Sequence, residues 1–142
     1  MDHDFYDDAD LRGILRETKR IAVVGASPNP ARPSNSILGY LLAHGYEAIP
    51  INPGHAGGKI LGQTVYARLA DLAAPVDLVD VFRRNEFLAG VVEDVLALPW
   101  KPKAIWIQLG LRDDQAAQRA EIAGIKVVQD RCIKIEHARL MR

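Results

Sequence analysis

The residues that follow the first apolar run of the chain have types and spacings that suit the binding of a phosphate group. The run RIAVVG, residues 20–25, ends in Gly25, which permits a tight turn, and Ala26 and Ser27 are small enough for a ligand to approach the backbone. A helix beginning in the amphipathic segment 34–44 would offer free N–H groups and a favourable dipole to an anion. The alternative is a tight strand-to-helix turn that needs only small residues. The side chains that could add donors or charge are Ser27, Ser34, Ser36 and Arg32.

This stretch lacks two features of the usual dinucleotide site. An NAD-binding loop has the spacing G-x-G-x-x-G, whereas G-A-S-P-N-P keeps only the first glycine, and Asn52 stands where an Asp or Glu usually follows the second strand. Basic side chains without a carboxylate favour a ligand with more phosphate than NAD, such as NADP or coenzyme A (CoA). The alternative is that these basic side chains are solvated loop residues. The basic residues expected at this edge are Arg32, His55, Lys59, Arg83 and Arg84.

No arrangement typical of a catalytic or metal site is visible in the sequence. No pair of its four histidines has metal-ligand spacing, one cysteine cannot form a structural zinc site, and G-x-S-x-G is absent. We expect His3 in a frayed N-terminus and His44 at a helix end. His55 falls in a ligand loop, and His137 lies near the C-terminus. The sequence therefore predicts a protein that is not an enzyme and binds no metal.

Cys132 follows the last predicted strand and lies between Arg131 and Lys134. Neighbouring cations favour the thiolate, which is the reactive form of cysteine. Two hypotheses follow: a mixed disulfide with the thiol of a bound CoA, or a small buried residue that contributes only to packing. The first hypothesis requires a CoA-sized adduct in the mass spectrum of the oxidised protein.

Apolar runs and segments with helical spacing alternate along the chain. The short runs predict strands buried on both faces, as in parallel sheets, and the other segments predict helices. Alternation of this kind predicts an α/β fold, Rossmann-like, with a doubly wound parallel five-stranded sheet, helices on both faces and three layers. Ligands then bind beyond the carboxyl ends of the strands. The predicted strands are 20–25, 46–51, 76–82, 104–108 and 125–129, and the predicted helices are a short one through 11–15, then 34–44, a short one within 64–73, 86–98, 113–123 and a closing segment 133–141.

Five segments occur in order along the chain: VGASPNPARPSNSI, GYEAIPINPG, VDVFRRNE, AIWIQLG and DRCIKIEH. Together they resemble the single-domain CoA-binding protein family, which is similar to the CoA-binding domain of the succinyl-CoA synthetase alpha subunit. The resemblance covers the chain from about residue 11 to the C-terminus. It implies a Rossmann-like domain that binds CoA across the strand ends, with the diphosphate in the first loop and the adenosine beside the third.

The resemblance also implies the residues that contact CoA. The synthetases have a lysine after the second strand where this chain has His55, so Lys59 or Arg32 is the alternative source of that charge. The implied residues are Gly25, Ala26, Ser27 and Pro28 in the first loop, Asn52, Pro53, Gly54 and His55 in the second, Phe82, Arg83 and Arg84 in the third, and Ile107, Gln108 and Gly110 in the fourth.

Length and composition indicate a single domain, residues 1–142, with a core of about 11–142. Lys plus Arg and Asp plus Glu number 18 each, so neither nucleic acid nor a membrane surface is expected as a partner. The acidic N-terminus does not have the features of a secretory signal, and one cysteine suits the cytoplasm, which is the expected location. A homo-oligomer is compatible with the sequence.

The expected function is the binding of CoA or an acyl-CoA by a stand-alone, non-catalytic module. One alternative class is an enzyme, either an NADP-dependent oxidoreductase or a subunit of an acyl-CoA ligase that needs a separate partner chain. Another is a regulatory protein for which CoA is a signal.

Overall fold

Strands and helices alternate along most of the chain. The computed structural model describes residues 2–142. In chain order the elements are α1 (Asp8–Glu17), β1 (Arg20–Val24), α2 (Pro33–Ala43), β2 (Glu47–Ile51), β3 (Lys59–Ile60), β4 (Gln63–Thr64), β5 (Leu78–Val81), α3 (Asn85–Leu96), β6 (Ala104–Ile107), α4 (Asp114–Ile122), β7 (Lys126–Val128) and α5 (Ile133–Leu140).

Five of the strands form one parallel sheet in the order β2-β1-β5-β6-β7. Strand β1 pairs on both sides, so that Ala22 lies opposite Ile49 in β2 and Val79 in β5. The chain passes from β1 to β2 on one side and then returns to β5 on the other. The strand order therefore changes direction beside β1, which is where open α/β sheets bind their ligands.

Helices cover both faces of the sheet and complete three layers. On one face α1, α2 and α5 enclose a core that includes Leu15, Leu38 and Ile133. On the other face α3 and α4 enclose a core that includes Val92 and Ala117. This arrangement confirms the predicted Rossmann-like, doubly wound fold. None of the helices within residues 2–142 is long and apolar enough to cross a lipid bilayer.

The starts of the helices follow local signals in the sequence. The Asp113 carboxylate accepts a hydrogen bond from the N–H of Ala116 and caps α4 as predicted. Helix α2 begins with Pro33, which suits the first helical position because it has no N–H to leave unpaired. Arg32, the residue before it, makes no capping hydrogen bond through its side chain to any described residue. The first turn of α2 is therefore not capped by Arg32.

The segment after β2 differs from the predicted short helix within 64–73. The chain forms a hairpin of β3 and β4 there, followed by one 3₁₀ turn at Leu69–Asp71. Leu61 and Gly62 turn the hairpin with φ angles of 49° and 79°. The backbone is extended again at Leu72, so the helical conformation lasts for only one turn.

The N-terminal segment is packed against the domain, which corrects the expectation that His3 lies in a frayed terminus. His3 is 8% exposed, and its ring nitrogens lie 2.6 Å from the Tyr6 hydroxyl and 2.8 Å from the Glu121 carboxylate. The Tyr6 hydroxyl also accepts a hydrogen bond of 2.7 Å from the backbone N–H of Gln129, directly after β7. His3 therefore packs against α4, and Tyr6 packs at the carboxyl end of β7.

Candidate functional site

Gly25 allows three strand ends to meet at the switch in strand order. Its φ angle is +85°, and a Cβ built there would lie 2.5 Å from the carbonyl oxygen of Phe82. Its N–H donates to the carbonyl of Ile51 at the end of β2, at 3.1 Å. Only glycine fits this position, because a side chain would be strained and would also collide with the backbone after β5. The loops after β1, β2 and β5 are thereby held together.

Side-chain amides hold the loop between β1 and α2 in a defined shape. Asn35 in α2 donates to the carbonyl of Ser27 at 3.0 Å, and Asn52 donates to the carbonyl of Ala26 at 2.7 Å. The Asn52 side chain also accepts from the N–H of Gly54 at 2.8 Å. Asn52 therefore links the first loop to the second, at the position where an NAD site has a ribose-binding carboxylate.

Most of the predicted ligand residues line one cleft, which we call the polar cleft. It has a volume of about 420 Å³ and lies between the start of α2 and the loops that follow β5 and β6. Three arginines and two serines contribute polar atoms, and apolar side chains form the wall near β6. The lining residues are Gly25, Ala26, Ser27, Arg32, Pro33, Ser34, Asn52, Phe82, Arg83, Arg84, Gln108, Leu109 and Leu111.

A second cavity, which we call the apolar slot, opens on the other side of Gly25 and Arg83. Its volume is about 270 Å³, and it lies between the ends of β1 and β2 and one face of α3. Gly25 and Arg83 line both cavities, which are therefore neighbours on either side of these two residues. The lining residues are Val24, Gly25, Ile51, Pro53, Ala67, Arg68, Leu69, Arg83, Phe87, Gly90, Val91 and Asp94.

Cationic side chains surround the boundary between the two cavities. The guanidinium of Arg83 lies 4.5 Å from the centre of the Phe87 ring, and that of Arg84 lies 5.6 Å from it. Arg84 also pairs with Glu86 at 3.4 Å, whereas Arg83 and Arg32 form no ion pair with any described residue. Two arginines with no acidic partner at a helix start make this a favourable place for a phosphorylated ligand.

The N-terminal segment occupies the other half of the same sheet edge. Arg112, in the loop before α4, donates to Asp4 at 2.7 Å and to Asp114 at 2.7 Å. The hydrogen bond from Arg112 lowers the pKa of Asp114 to about 2. Asp4 and Tyr6 thus contact the loops that follow β6 and β7, whereas the polar cleft lies beside the loops that follow β1, β5 and β6.

Two buried side chains near the polar cleft have polar atoms without a hydrogen-bond partner among the described residues. One is Gln108, which is 8% exposed and lines the cleft, and the other is Asp80, which is fully buried in β5. Asp80 lies in register with Val23 and Trp106, on the face covered by α1, α2 and α5. Burial raises the pKa of Asp80 well above its ordinary value, which favours the neutral acid.

The structure separates the predicted ligand residues into two groups. Nine line the polar cleft and Pro53 lines the apolar slot. Ile107 packs into the core beneath α3 and α4 and is 1% exposed, so its side chain does not face either cavity. The residues that line neither cavity are Pro28, Gly54, His55, Lys59, Ile107 and Gly110.

The sequence left open whether His55, Lys59 or Arg32 supplies a positive charge to the site. Of the three, Arg32 has the most suitable position. Arg32 lines the polar cleft. His55 is exposed in a short 3₁₀ turn after β2, and Lys59 is exposed in the β3–β4 hairpin. Neither of these residues lines the polar cleft or the apolar slot.

Sequence reasoning missed most of the apolar slot. Its α3 wall consists of Phe87, Gly90, Val91 and Asp94, whose spacing places them on one helix face, but this spacing is also that of a core stripe. Phe87 is in fact 39% exposed. The opposite wall, residues 67–69, lies in the segment whose structure the sequence predicted incorrectly.

The remaining candidates for chemistry lie away from the two cavities. Cys132 is partly buried, precedes α5 and packs against the core formed by α1, α2 and α5. His44 and His137 lie between α2 and α5 beside Tyr40, whose hydroxyl is 2.8 Å from Nδ1 of His137. None of the four histidines lines the polar cleft or the apolar slot.

Comparisons with known proteins show the family to which this chain is similar. A family model described as a CoA binding domain matches residues 19–138. The uncharacterized protein YneT of Bacillus subtilis (strain 168) is 39% identical over 130 residues, which are 92% of this chain and 93% of YneT.

Solved structures of similar proteins have the same fold. A hypothetical protein from Pyrococcus horikoshii OT3 has a TM-score of 0.90 at 35% identity, covering 98% of this chain and 95% of its own. A structure from Thermus thermophilus, described as cell-free ID.343, has a TM-score of 0.89 at 41% identity, covering 95% and 99% of the two chains.

Proposed function

Because this chain belongs to the CoA-binding domain family, we propose that it binds CoA or an acyl-CoA as a stand-alone module without catalytic activity. The observation that carries the proposal is the pair of adjoining cavities at the switch in strand order. Gly25 and Arg83 line both, and arginines without an acidic partner stand beside them. CoA combines a flat base, a cluster of phosphates and a long arm, which two joined cavities with cations between them can accept.

The two cavities suit different parts of CoA. The apolar slot has aliphatic walls from Ile51, Leu69 and Val91, and a guanidinium on its rim, which suits the faces of an adenine ring. The first loop and the start of α2 then receive the diphosphate, with Arg32 and Arg83 beside it. The arm continues into the polar cleft toward the loop after β6.

The non-catalytic part of the proposal rests on the groups that surround this position. Histidine, the commonest general acid–base, is absent from the described lining residues of both cavities, and so is cysteine. Asp94 is the one carboxylate among the residues that line the two cavities. A single carboxylate without a neighbouring base supports binding better than acid–base chemistry.

Isothermal titration calorimetry with CoA, dephospho-CoA and NADPH tests the proposal. We expect CoA to bind about 10-fold or more tightly than dephospho-CoA, because the latter lacks the 3′-phosphate that the arginines can contact. Arg83→Gln should weaken CoA binding about 10-fold to 100-fold, since Arg83 borders both cavities.

Arg16→Gln is the matched control, because Arg16 is exposed on α1 and lines neither cavity. Absence of CoA binding by the unaltered protein would overturn the proposal. Tighter binding of NADPH than of CoA, with hydride transfer to a carbonyl substrate, would favour the oxidoreductase alternative. Co-purification with a nucleotide-dependent partner chain would favour the ligase-subunit alternative.

A further inference from the structure

Four aromatic rings meet between α2 and α5, and two of them are histidine rings. We call these residues the histidine cluster: Tyr40, His44, Tyr46 and His137. The ring centre of His137 lies 5.4 Å from that of Tyr40, 5.3 Å from that of His44 and 5.6 Å from that of Tyr46. His137 is 8% exposed, whereas His44 is exposed at the C-terminal end of α2. The cluster therefore places a buried group that titrates near neutral pH beside a second one.

Tyr40 links the two histidines through its backbone, its ring and its hydroxyl. Nδ1 of His44 lies 2.7 Å from the Tyr40 carbonyl oxygen, which can only accept, so Nδ1 carries a proton. The rings of Tyr40 and His44 stack with their centres 3.9 Å apart, and the Tyr40 hydroxyl lies 2.8 Å from Nδ1 of His137. These contacts connect the end of α2 to α5.

The surroundings of His137 disfavour a positive charge on its ring. Burial first and the charge of His44 second lower the pKa of His137, and no described acidic group counters them. Nζ of Lys134 lies 5.6 Å from the centre of the Tyr40 ring and adds a further cation to this region. Asp80, on the sheet face that α1, α2 and α5 cover, has a raised pKa that favours the neutral acid. A protonated His137 is therefore a poorly hydrated cation next to other cations.

Helix α5 is attached to α1 by groups that keep their charge near neutral pH. Arg139 donates to both oxygens of the Asp8 carboxylate, at 2.9 and 3.0 Å, and also to Glu136. The hydrogen bond from Arg139 lowers the pKa of Asp8. Arg12 donates to a backbone carbonyl near the end of α5 at 3.2 Å. Mild acidification therefore acts on the side of α5 that contacts α2, and not on the side that contacts α1.

We propose that the histidine cluster is a pH-sensitive latch, which holds α5 against α2 while its histidines are neutral and loosens this contact when they are protonated. Because His137 is harder to protonate while it is buried, protons bind preferentially to the state in which the contact is open. The open state therefore gains population as the pH falls below about 6.5, the ordinary pKa of histidine. The latch goes beyond the proposed function and does not depend on a bound ligand.

Hydrogen–deuterium exchange with mass spectrometry measures the latch on the ligand-free protein. After correction for the intrinsic pH dependence of exchange, the protection of residues 133–140 should fall about 3-fold to 10-fold between about pH 7.5 and about pH 5.5. The protection of α3, on the opposite face of the sheet, should fall less. His137→Gln keeps a polar side chain near Tyr40 but cannot be protonated, so the fall should disappear. His55→Gln removes an exposed histidine outside the cluster, and as the matched control it should keep the fall.

NMR titration of the histidine rings gives a second measurement, in which His137 should titrate below the ordinary value of about 6.5. A midpoint at or above that value would overturn the latch. Protection of α5 that does not change with pH would overturn it as well, and so would an equal fall in the unaltered protein and in His137→Gln. If His137→Gln does not fold, His137→Asn is measured in its place, and the ring titration of the unaltered protein decides independently of either variant.

Discussion

Asp80 places a carboxyl group in the middle of the sheet, where it is fully buried and has no hydrogen-bond partner among the described residues. Burial raises its pKa well above the ordinary value, because the charged form would lose its hydration. Asp77, three residues earlier, instead accepts hydrogen bonds from the N–H groups of Lys19 and Arg20 at 2.9 and 3.0 Å. Burial raises the pKa of Asp77, but these hydrogen bonds together with the positive charges of Lys103 and Arg20 outweigh that effect and hold the pKa below its ordinary value. As pH rises through the range in which each group ionises, Asp80 therefore lowers the free energy of unfolding, whereas Asp77 raises it.

The raised pKa of Asp80 makes a prediction about the pH dependence of stability. Between the unfolded and folded pKa values the unfolded chain releases the proton first, so the free energy of unfolding falls as pH rises, by about 1.4 kcal/mol per pH unit over that interval. Asn is neutral in both states, so Asp80→Asn should become increasingly more stable than the unaltered protein as the pH rises above about 4. Urea unfolding at several pH values measures the difference.

The control for this prediction is Asp10→Asn, which removes an exposed carboxylate from α1. A stability difference between Asp80→Asn and the unaltered protein that stays constant with pH would show that Asp80 is not held in its neutral form.

The loop before α2 and the N-terminal segment are held in place by different kinds of contact. The loop before α2 is held by Asn35 and Asn52 through hydrogen bonds to backbone carbonyls. The N-terminal segment depends on its side chains, chiefly on Tyr6, which is 8% exposed and lies with its ring 4.9 Å from the guanidinium of Arg131. The Tyr6 hydroxyl is the acceptor for the buried N–H of Gln129 at the end of β7. This one hydroxyl therefore links the segment to the sheet.

Removing the hydroxyl in Tyr6→Phe should lower the free energy of unfolding by about 1–3 kcal/mol, because the Gln129 N–H loses its acceptor while remaining buried. CoA affinity should be unchanged, since Tyr6 lines neither the polar cleft nor the apolar slot. Denaturant unfolding and calorimetry give the two quantities. Phe5→Ala, at a position 70% exposed, is the control and should cost less than about 0.5 kcal/mol. A loss in Tyr6→Phe no larger than in the control would contradict the role given to the hydroxyl.

The molecule as a whole has a formal net charge of zero, with 18 basic and 18 acidic residues. Attraction of a multiply charged ligand must then come from the local grouping of Arg32, Arg83 and Arg84 at the cleft, and not from the overall field of the protein. These side chains are at least partly exposed, so salt screens them. Because the net charge is zero, the electrostatic attraction of an anionic ligand is confined to the edge of the sheet where these arginines lie.

The salt dependence of CoA binding follows from this grouping. Raising NaCl from about 50 mM to about 500 mM should weaken CoA binding about 10-fold, because screening acts on the exposed arginines and the phosphates. Dephospho-CoA, with less charge, should lose less affinity over the same range. Calorimetric titrations at several salt concentrations measure both. Equal and small salt effects for the two ligands would contradict an electrostatic role for the three arginines.

Local patterns in the sequence were sufficient to predict the fold and about half of the residues that line the candidate site. A strand buried on both faces must be apolar throughout, so runs such as 20–25 and 104–108 were recognisable without any tertiary information. Parallel strands joined by helices bring their carboxyl ends to one edge, which is why residues after β1, β5 and β6 were expected together and do line one cleft.

Tertiary structure alone decided which residues line the two cavities and which support the loops. Asn52 contacts Ala26, 26 residues away, and Tyr6 contacts Gln129, 123 residues away. Periodicity describes which side of its own element a residue occupies, but such contacts depend on how distant elements pack. For the same reason the sequence did not predict the walls of the apolar slot that come from residues after β4 and from a face of α3 that resembles a core stripe.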